Sequence, residues 1–159
     1  MEYKKYTRIL QIVSTILCLA ILFVLFKVVP DIGLEIIGDD KEFYYAFYPW
    51  LIIICLEGLP IVLCGLICIR IYENIGNNRI FVRENIKAIK LIDKILLVLM
   101  VFIVIANIFA LILLEHHPGL LLIHLIYLIV LFLIHICIKL LLKIYTNAVE
   151  LKEDQDLTV

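Results

Sequence analysis

Four long apolar runs constrain this chain more than anything else in it: roughly residues 9–29, 50–72, 95–114 and 120–142. Each is close to the ~20 residues that a helix needs to cross a hydrocarbon core of about 30 Å. In lipid a backbone must satisfy its own hydrogen bonds, so such runs fold as helices. The expectation is an all-α integral membrane protein, a four-helix up-down-up-down bundle forming one domain over residues 1–159. Composition agrees. The 159 residues are 65% hydrophobic and the mean hydropathy is +1.13, more apolar surface than a soluble domain of this size can bury. The first run reads as a retained span, because Lys27 stands near its end and no small-residue cleavage site follows.

Charge is sorted by side, so the net charge of −1 carries little information. Lys4, Lys5 and Arg8 precede the first span. Arg70, Arg79, Arg83, Lys87, Lys90 and Lys94 lie between the second and third, and Lys139, Lys143 and Lys152 close the fourth. Only Lys27 and Lys41 fall on the other side. By the positive-inside rule both termini and the segment 73–94 are cytoplasmic.

That central segment is the largest block of charge. Gly76-Asn77-Asn78 signals a turn, since Gly and Asn tolerate φ > 0. A helical pattern begins near Val82. Arg83, Lys87, Lys90 and Lys94 fall at i, i+4, i+7 and i+11 on one face, with Val82, Ile86, Ile89, Ile92 and Leu96 opposite. Such an amphipathic extension, leading into the third span, suits two readings. It can anchor on headgroups, or it can present a docking face to a protein.

The stretch Pro30–Pro49 reads as an outer loop, acidic through Asp31, Glu35, Asp39, Asp40 and Glu42 and then aromatic up to Trp50. The rings suit an interfacial belt, and the acidic run lacks the spacing of a calcium loop. The link Glu115-His116-His117-Pro118-Gly119 is short enough to force spans three and four into an antiparallel hairpin. Its adjacent histidines are a poor metal chelate and read as a solvated loop.

Ionisable groups at membrane depth carry a functional hypothesis by default. Counting inward at about 1.5 Å per residue, Glu57, Asn107 and His124 lie about 10, 12 and 8 Å below one interface. They form one layer contributed by three spans. Glu57 is expected to face the interior and pair with His124 or Asn107, with Gly58 and Pro60 loosening the helix beside it. Interhelical glue, a sensing site and a proton or cation site of a transporter all fit that layer. Gly58 and Gly65, like Ala106 and Ala110, suit close helix crossings.

Other chemistry finds little support. No catalytic residues, metal site or cofactor are expected. Cys18, Cys55, Cys64, Cys68 and Cys137 all sit in apolar runs and read as packing residues rather than a disulfide framework. A bis-His haem needs ligands on different helices, and the first three spans hold no His. No nucleotide loop, Ser-His-Asp arrangement or helix-turn-helix pattern occurs, so neither enzymatic activity nor direct nucleic-acid binding is expected.

Two stretches carry a family resemblance. One is Asn78-Arg-Ile-Phe-Val-Arg-Glu-Asn-Ile-Lys-Ala-Ile-Lys; the other is Ala148-Val-Glu-Leu-Lys-Glu-Asp-Gln-Asp-Leu-Thr-Val. Together with the four-span layout they resemble the YoaS-like four-span bacterial membrane proteins, a family of unknown function. Val82 departs from that pattern, standing where a polar residue is common. Members are often encoded beside a small Cro-like helix-turn-helix regulator. The resemblance implies a protein of the bacterial cytoplasmic membrane that holds or modulates such a regulator. Docking residues would then be Arg83, Glu84, Asn85, Lys87, Lys90 and Lys94, with the terminal Asp156, Leu157, Thr158 and Val159. Membrane lipids are the other partner expected, and a second copy of the chain is left open. The alternative is a small transporter or immunity-type protein that uses the Glu57 layer.

Overall fold

The computed structural model describes residues 2–37, 44–112 and 118–157. The described residues are helical except for the turn at 77–82, and they contain no strand. Helix α1 spans Glu2–Phe23, a π-helical turn covers Val24–Val28, and α2 spans Val29–Ile37. Helices α3 (Tyr44–Gly76), α4 (Arg83–Ile112) and α5 (Pro118–Leu157) follow. With α1 and α2 counted as one continuous rod, four helices are long and apolar enough to cross a membrane.

Each of the four rods is longer than the stretch its hydropathy marked. The 40 residues of α5 make a rod of about 60 Å, twice the ~30 Å hydrocarbon core. Its polar last third, from Lys143 on, projects past the apolar part. The Pro30–Pro49 stretch is less of a loop than its composition suggests, because α2 carries the first rod to Ile37 and α3 begins at Tyr44. Pro30 does not end the helix. An α-helical ladder would lose the Pro30 N–H and press its ring on the preceding turn. The wider π turn lies directly before it, with the Val29 N–H bonded to the Val24 carbonyl. Asp39, Asp40 and Glu42, the Glu115-His116-His117 link, and Thr158 with Val159 lie outside the described residues.

The first rod, through α1 and the π-helical turn, packs antiparallel to α3 through small residues. A Cβ on Gly58 would lie 2.5 Å from Leu25 Cδ1, one on Gly65 2.5 Å from Cys18 Sγ, and one on Gly76 2.7 Å from Thr7 Oγ1. Gly58, Gly65 and Gly76 are seven and eleven residues apart, and so are Leu25, Cys18 and Thr7. The two rows therefore mesh in one register.

Helix α4 supplies most of the core. Ile86, Ile89, Asp93, Leu96, Leu99, Ile103, Asn107 and Ala110 are buried at steps of three and four, close to the seam of a coiled coil. Midway, Leu96, Leu99 and Ile103 close on Cys64 of α3 and Leu131 of α5. Lipid tails are as apolar as these side chains, so the layer is held by close packing and dispersion rather than by escape from solvent. Outward positions such as Ile12, Leu19, Phe109 and Leu133 stay exposed, as a lipid-facing surface requires.

The polar turn joins the end of α3 to α4. Gly76 closes α3, and Asn78 takes a positive φ of 60°, which Asn tolerates better than most residues. Asn85 is 0% exposed. Its Nδ2 donates to the carbonyls of Arg79 (3.1 Å) and Ile80 (3.0 Å) and to Tyr145 Oη (3.1 Å). Its Oδ1 accepts from Asn74 Nδ2 at 2.7 Å. The Tyr145 hydroxyl also donates to the Ile80 carbonyl, and Phe81 packs on the Tyr145 ring at 5.8 Å. One amide thus ties the turn to α3 and α5.

Candidate functional site in the bundle interior

Two polar layers lie inside the bundle, on either side of the Leu99–Ile103–Leu131 packing. The first joins three helices. Glu57 is the buried acid of α3, Asn107 occupies the α4 seam, and His124 lies near the start of α5. His124 Nε2 is 3.4 Å from Glu57 Oε2, and His124 Nδ1 is 3.0 Å from Asn107 Oδ1. The ring of Trp50 lies 6.4 Å from that of His124.

Hydrogen bonding sets the proton count of this layer. Asn107 Nδ2 donates to the Ile103 carbonyl at 2.7 Å. That orients its Oδ1 as the acceptor facing His124, so His124 Nδ1 carries a hydrogen. Nε2 and Glu57 Oε2 then face each other, and one proton between them completes the contact. Imidazolium with carboxylate and imidazole with carboxylic acid are both electrically neutral overall. Removing that proton would leave an uncompensated charge in a buried site. Glu57 Oε1 has no hydrogen-bond partner among the described residues.

The second layer is nearer the polar end. Asp93 is buried on α4. Its Oδ2 lies 2.9 Å from Lys139 Nζ and its Oδ1 2.7 Å from His135 Nδ1. The latter pair is close but poorly aligned, since neither atom makes a hydrogen bond of acceptable geometry; it is a contact rather than a directed bond. His135 and Lys139 are one helical turn apart, so both bases fall on the same side of α5. His124 and His135 are three turns apart, about 16 Å along the helix.

At the polar end, Arg83 clasps α5. Its Nε donates to Glu153 Oε1 at 2.8 Å and its Nη2 to Glu153 Oε2 at 2.6 Å, a bidentate pair. Hydrogen bonding to Arg83 holds the Glu153 carboxyl below the ordinary carboxylate range.

A family model described as "Protein of unknown function (DUF2975)" matches residues 35–159. The chain belongs to that family. No curated protein and no solved structure matches it. The DUF2975 match takes in α3, α4 and α5, and with them every residue of both layers and of the clasp, while α1 lies before it.

In this DUF2975 protein the structure brings Glu57, Asn107 and His124 into one chain of contacts. The expected docking residues separate. Arg83, Glu84, Lys87, Lys90 and Lys94 are exposed. Asn85 is not: its side chain is spent inside the turn and cannot meet a partner. The reason is register, since Asn85 lies next to the Ile86–Ile89 seam and not on the basic row. Of Asp156 and Leu157 only the backbone is described, and Thr158 and Val159 are outside the described residues. Asp93 went unnoticed among its basic neighbours. The signal was its position in the seam, where a charge calls for partners, and His135 and Lys139 supply them. All five thiols are free, and the described residues hold no cluster of three or more His, Cys, Asp or Glu able to bind a metal.

Proposed function

We infer that this protein is a membrane-anchored regulatory or sensor protein that docks a small cytoplasmic DNA-binding regulator at its polar end. The observation that carries the reading is the Arg83–Glu153 clasp, which joins the end of α5 to the first residue of the basic row Arg83, Lys87, Lys90 and Lys94. A firm, charged surface built from two helices suits a protein partner better than a solvated tail does. The resemblance of Asn78–Lys90 and Ala148–Val159 to the YoaS-like proteins supplies the class of partner. The excess of Lys and Arg at this end orients it towards the cytoplasm of a bacterial cell. Affinity purification from native membranes tests the reading, with the intact chain and with a version ending at Glu150. A small helix-turn-helix protein retained by the first and lost by the second supports it. Absence from both refutes it.

A second reading, a proton-coupled transporter, draws on the buried Glu57–His124 pair. The close-packed layer at Leu99, Ile103 and Leu131 weighs against it, because it separates the two polar layers. Proton uptake by vesicles containing the protein, abolished in Glu57→Gln, would favour transport over regulation.

A further inference from the structure

The crevice between α3 and α4 changes character along its length. One part is an open apolar groove of about 590 Å³, with Leu56, Leu63, Val98 and Phe102 in its walls and Lys94 among its lining. Leu91 lines this groove and also a polar cavity of about 490 Å³ that contains Arg70, Arg79 and Lys87. Both volumes fall within the ~300–1,000 Å³ of ordinary ligand sites. The acid of the polar part, Glu84, is engaged by Arg79 at 3.6 Å. Among the described residues no carboxylate is within ion-pairing distance of Arg70, Lys87 or Lys94. Arg83, on the same row, turns to Glu153 of α5 instead.

The dimensions fit one molecule. Leu91 to Phe102 is eleven residues, or about 16 Å along α4. One leaflet of a bilayer is about 15 Å of hydrocarbon, half of the ~30 Å core. A trough one leaflet deep and topped by unneutralised cations complements a single lipid with a negative headgroup.

We propose that the α3–α4 crevice binds one anionic phospholipid, with an acyl chain along Leu56, Leu63, Val98 and Phe102 and the headgroup phosphate among Arg70, Lys87 and Lys94. Arg70 offers the phosphate a planar fork of donors, and the two lysines act as point charges. A zwitterionic lipid has the same tails and phosphate, but its ammonium group cancels the attraction. The headgroup end shares Lys87 and Lys94 with the row proposed to meet a protein; the lipid titration uses no protein partner, so the two readings fail separately.

The test is native mass spectrometry of the full chain, delipidated in detergent and titrated with phosphatidylglycerol or phosphatidylcholine of matched tails. The expected result is one phosphatidylglycerol per chain, held at least tenfold more tightly than phosphatidylcholine. Arg70→Gln and Lys87→Gln each weaken it about fivefold, the effect of removing one cation near an anionic group. Both side chains are exposed, so these variants remove charge without opening the core. Glycerol phosphate, which has no tail, does not compete. Equal binding of the two lipids, or unchanged selectivity in the doubly substituted chain, overturns the proposal. Effective competition by glycerol phosphate also overturns it, in favour of a free-phosphate site.

Discussion

Glu57→Ala and Glu57→Gln should differ sharply, and the difference follows from the single proton assigned to the Glu57–His124 contact. Alanine removes the carboxyl group that faces His124 Nε2 at 3.4 Å in a buried site. An orphaned buried polar group costs about 1–3 kcal/mol. The vacated volume adds a packing loss, so about 2–4 kcal/mol of destabilisation is expected. Glutamine is nearly isosteric and uncharged. Its amide can donate to Nε2 while Nδ1–H continues to donate to Asn107, so the change should stay within about 1 kcal/mol. Equilibrium unfolding in mixed micelles, titrated with a denaturing detergent, would measure both. A cycle with His124→Ala should give a coupling of about 0.6–1.7 kcal/mol, the range for contacts between membrane helices. If Glu57→Gln is as damaging as Glu57→Ala, an amide cannot replace the carboxyl group at His124 Nε2 and the shared-proton account is wrong. Additivity within about 0.3 kcal/mol would refute the contact itself.

Asn85→Ala should cost about 2–3 kcal/mol in the same assay, because it strips partners from Asn74, Tyr145 and the turn carbonyls together. Gly65→Ala should lower the melting temperature by setting a methyl against Cys18 Sγ, and Cys18→Ala in the same chain should restore much of the loss. Lys139→Ala should cost under about 1 kcal/mol, since its side chain is 58% exposed. Asp93→Ala should cost more, because Asp93 is the buried partner of two bases. The folded-state pKa of Glu153 is depressed by Arg83, so the clasp contributes above the ordinary Glu value of about 4.3 and is lost as pH falls through the lower folded value. Hydrogen exchange over residues 150–157 should therefore distinguish wild type from Arg83→Gln above that pH and not below it.

The four spans were legible because hydropathy reports the solvent around a helix, and lipid imposes one length on every crossing. The same signal misplaced the helix ends. Polar side chains do not stop a helix; they only end its apolar surface, and α5 continues through Lys143 and Lys152 to Leu157. Glu57, Asn107 and His124 could be grouped from sequence because counting inward from the interfaces gives depth, and depth brings residues of different helices together. Asp93 needed a different signal. It lies in a stretch dense with Lys and Arg, where a lone acid reads as solvated. Only its phase relative to Ile86, Ile89 and Leu96 reveals that it faces inward. Asn85 shows the converse. A polar residue beside a basic row was read as surface, yet its amide is what the turn is folded around.

The meshed rows of the first rod and α3 have a further consequence. Two helices notched at equal intervals can slide by one interval and mesh again. Here the intervals are seven and eleven, so a shift by either leaves at least one of Leu25, Cys18 and Thr7 without its glycine. The first rod therefore has one seat on the bundle rather than several. A chain emerging from the ribosome α1 first must hold that helix in reserve until α3 arrives to receive it, and the uneven notches then act as the alignment gauge for the hairpin.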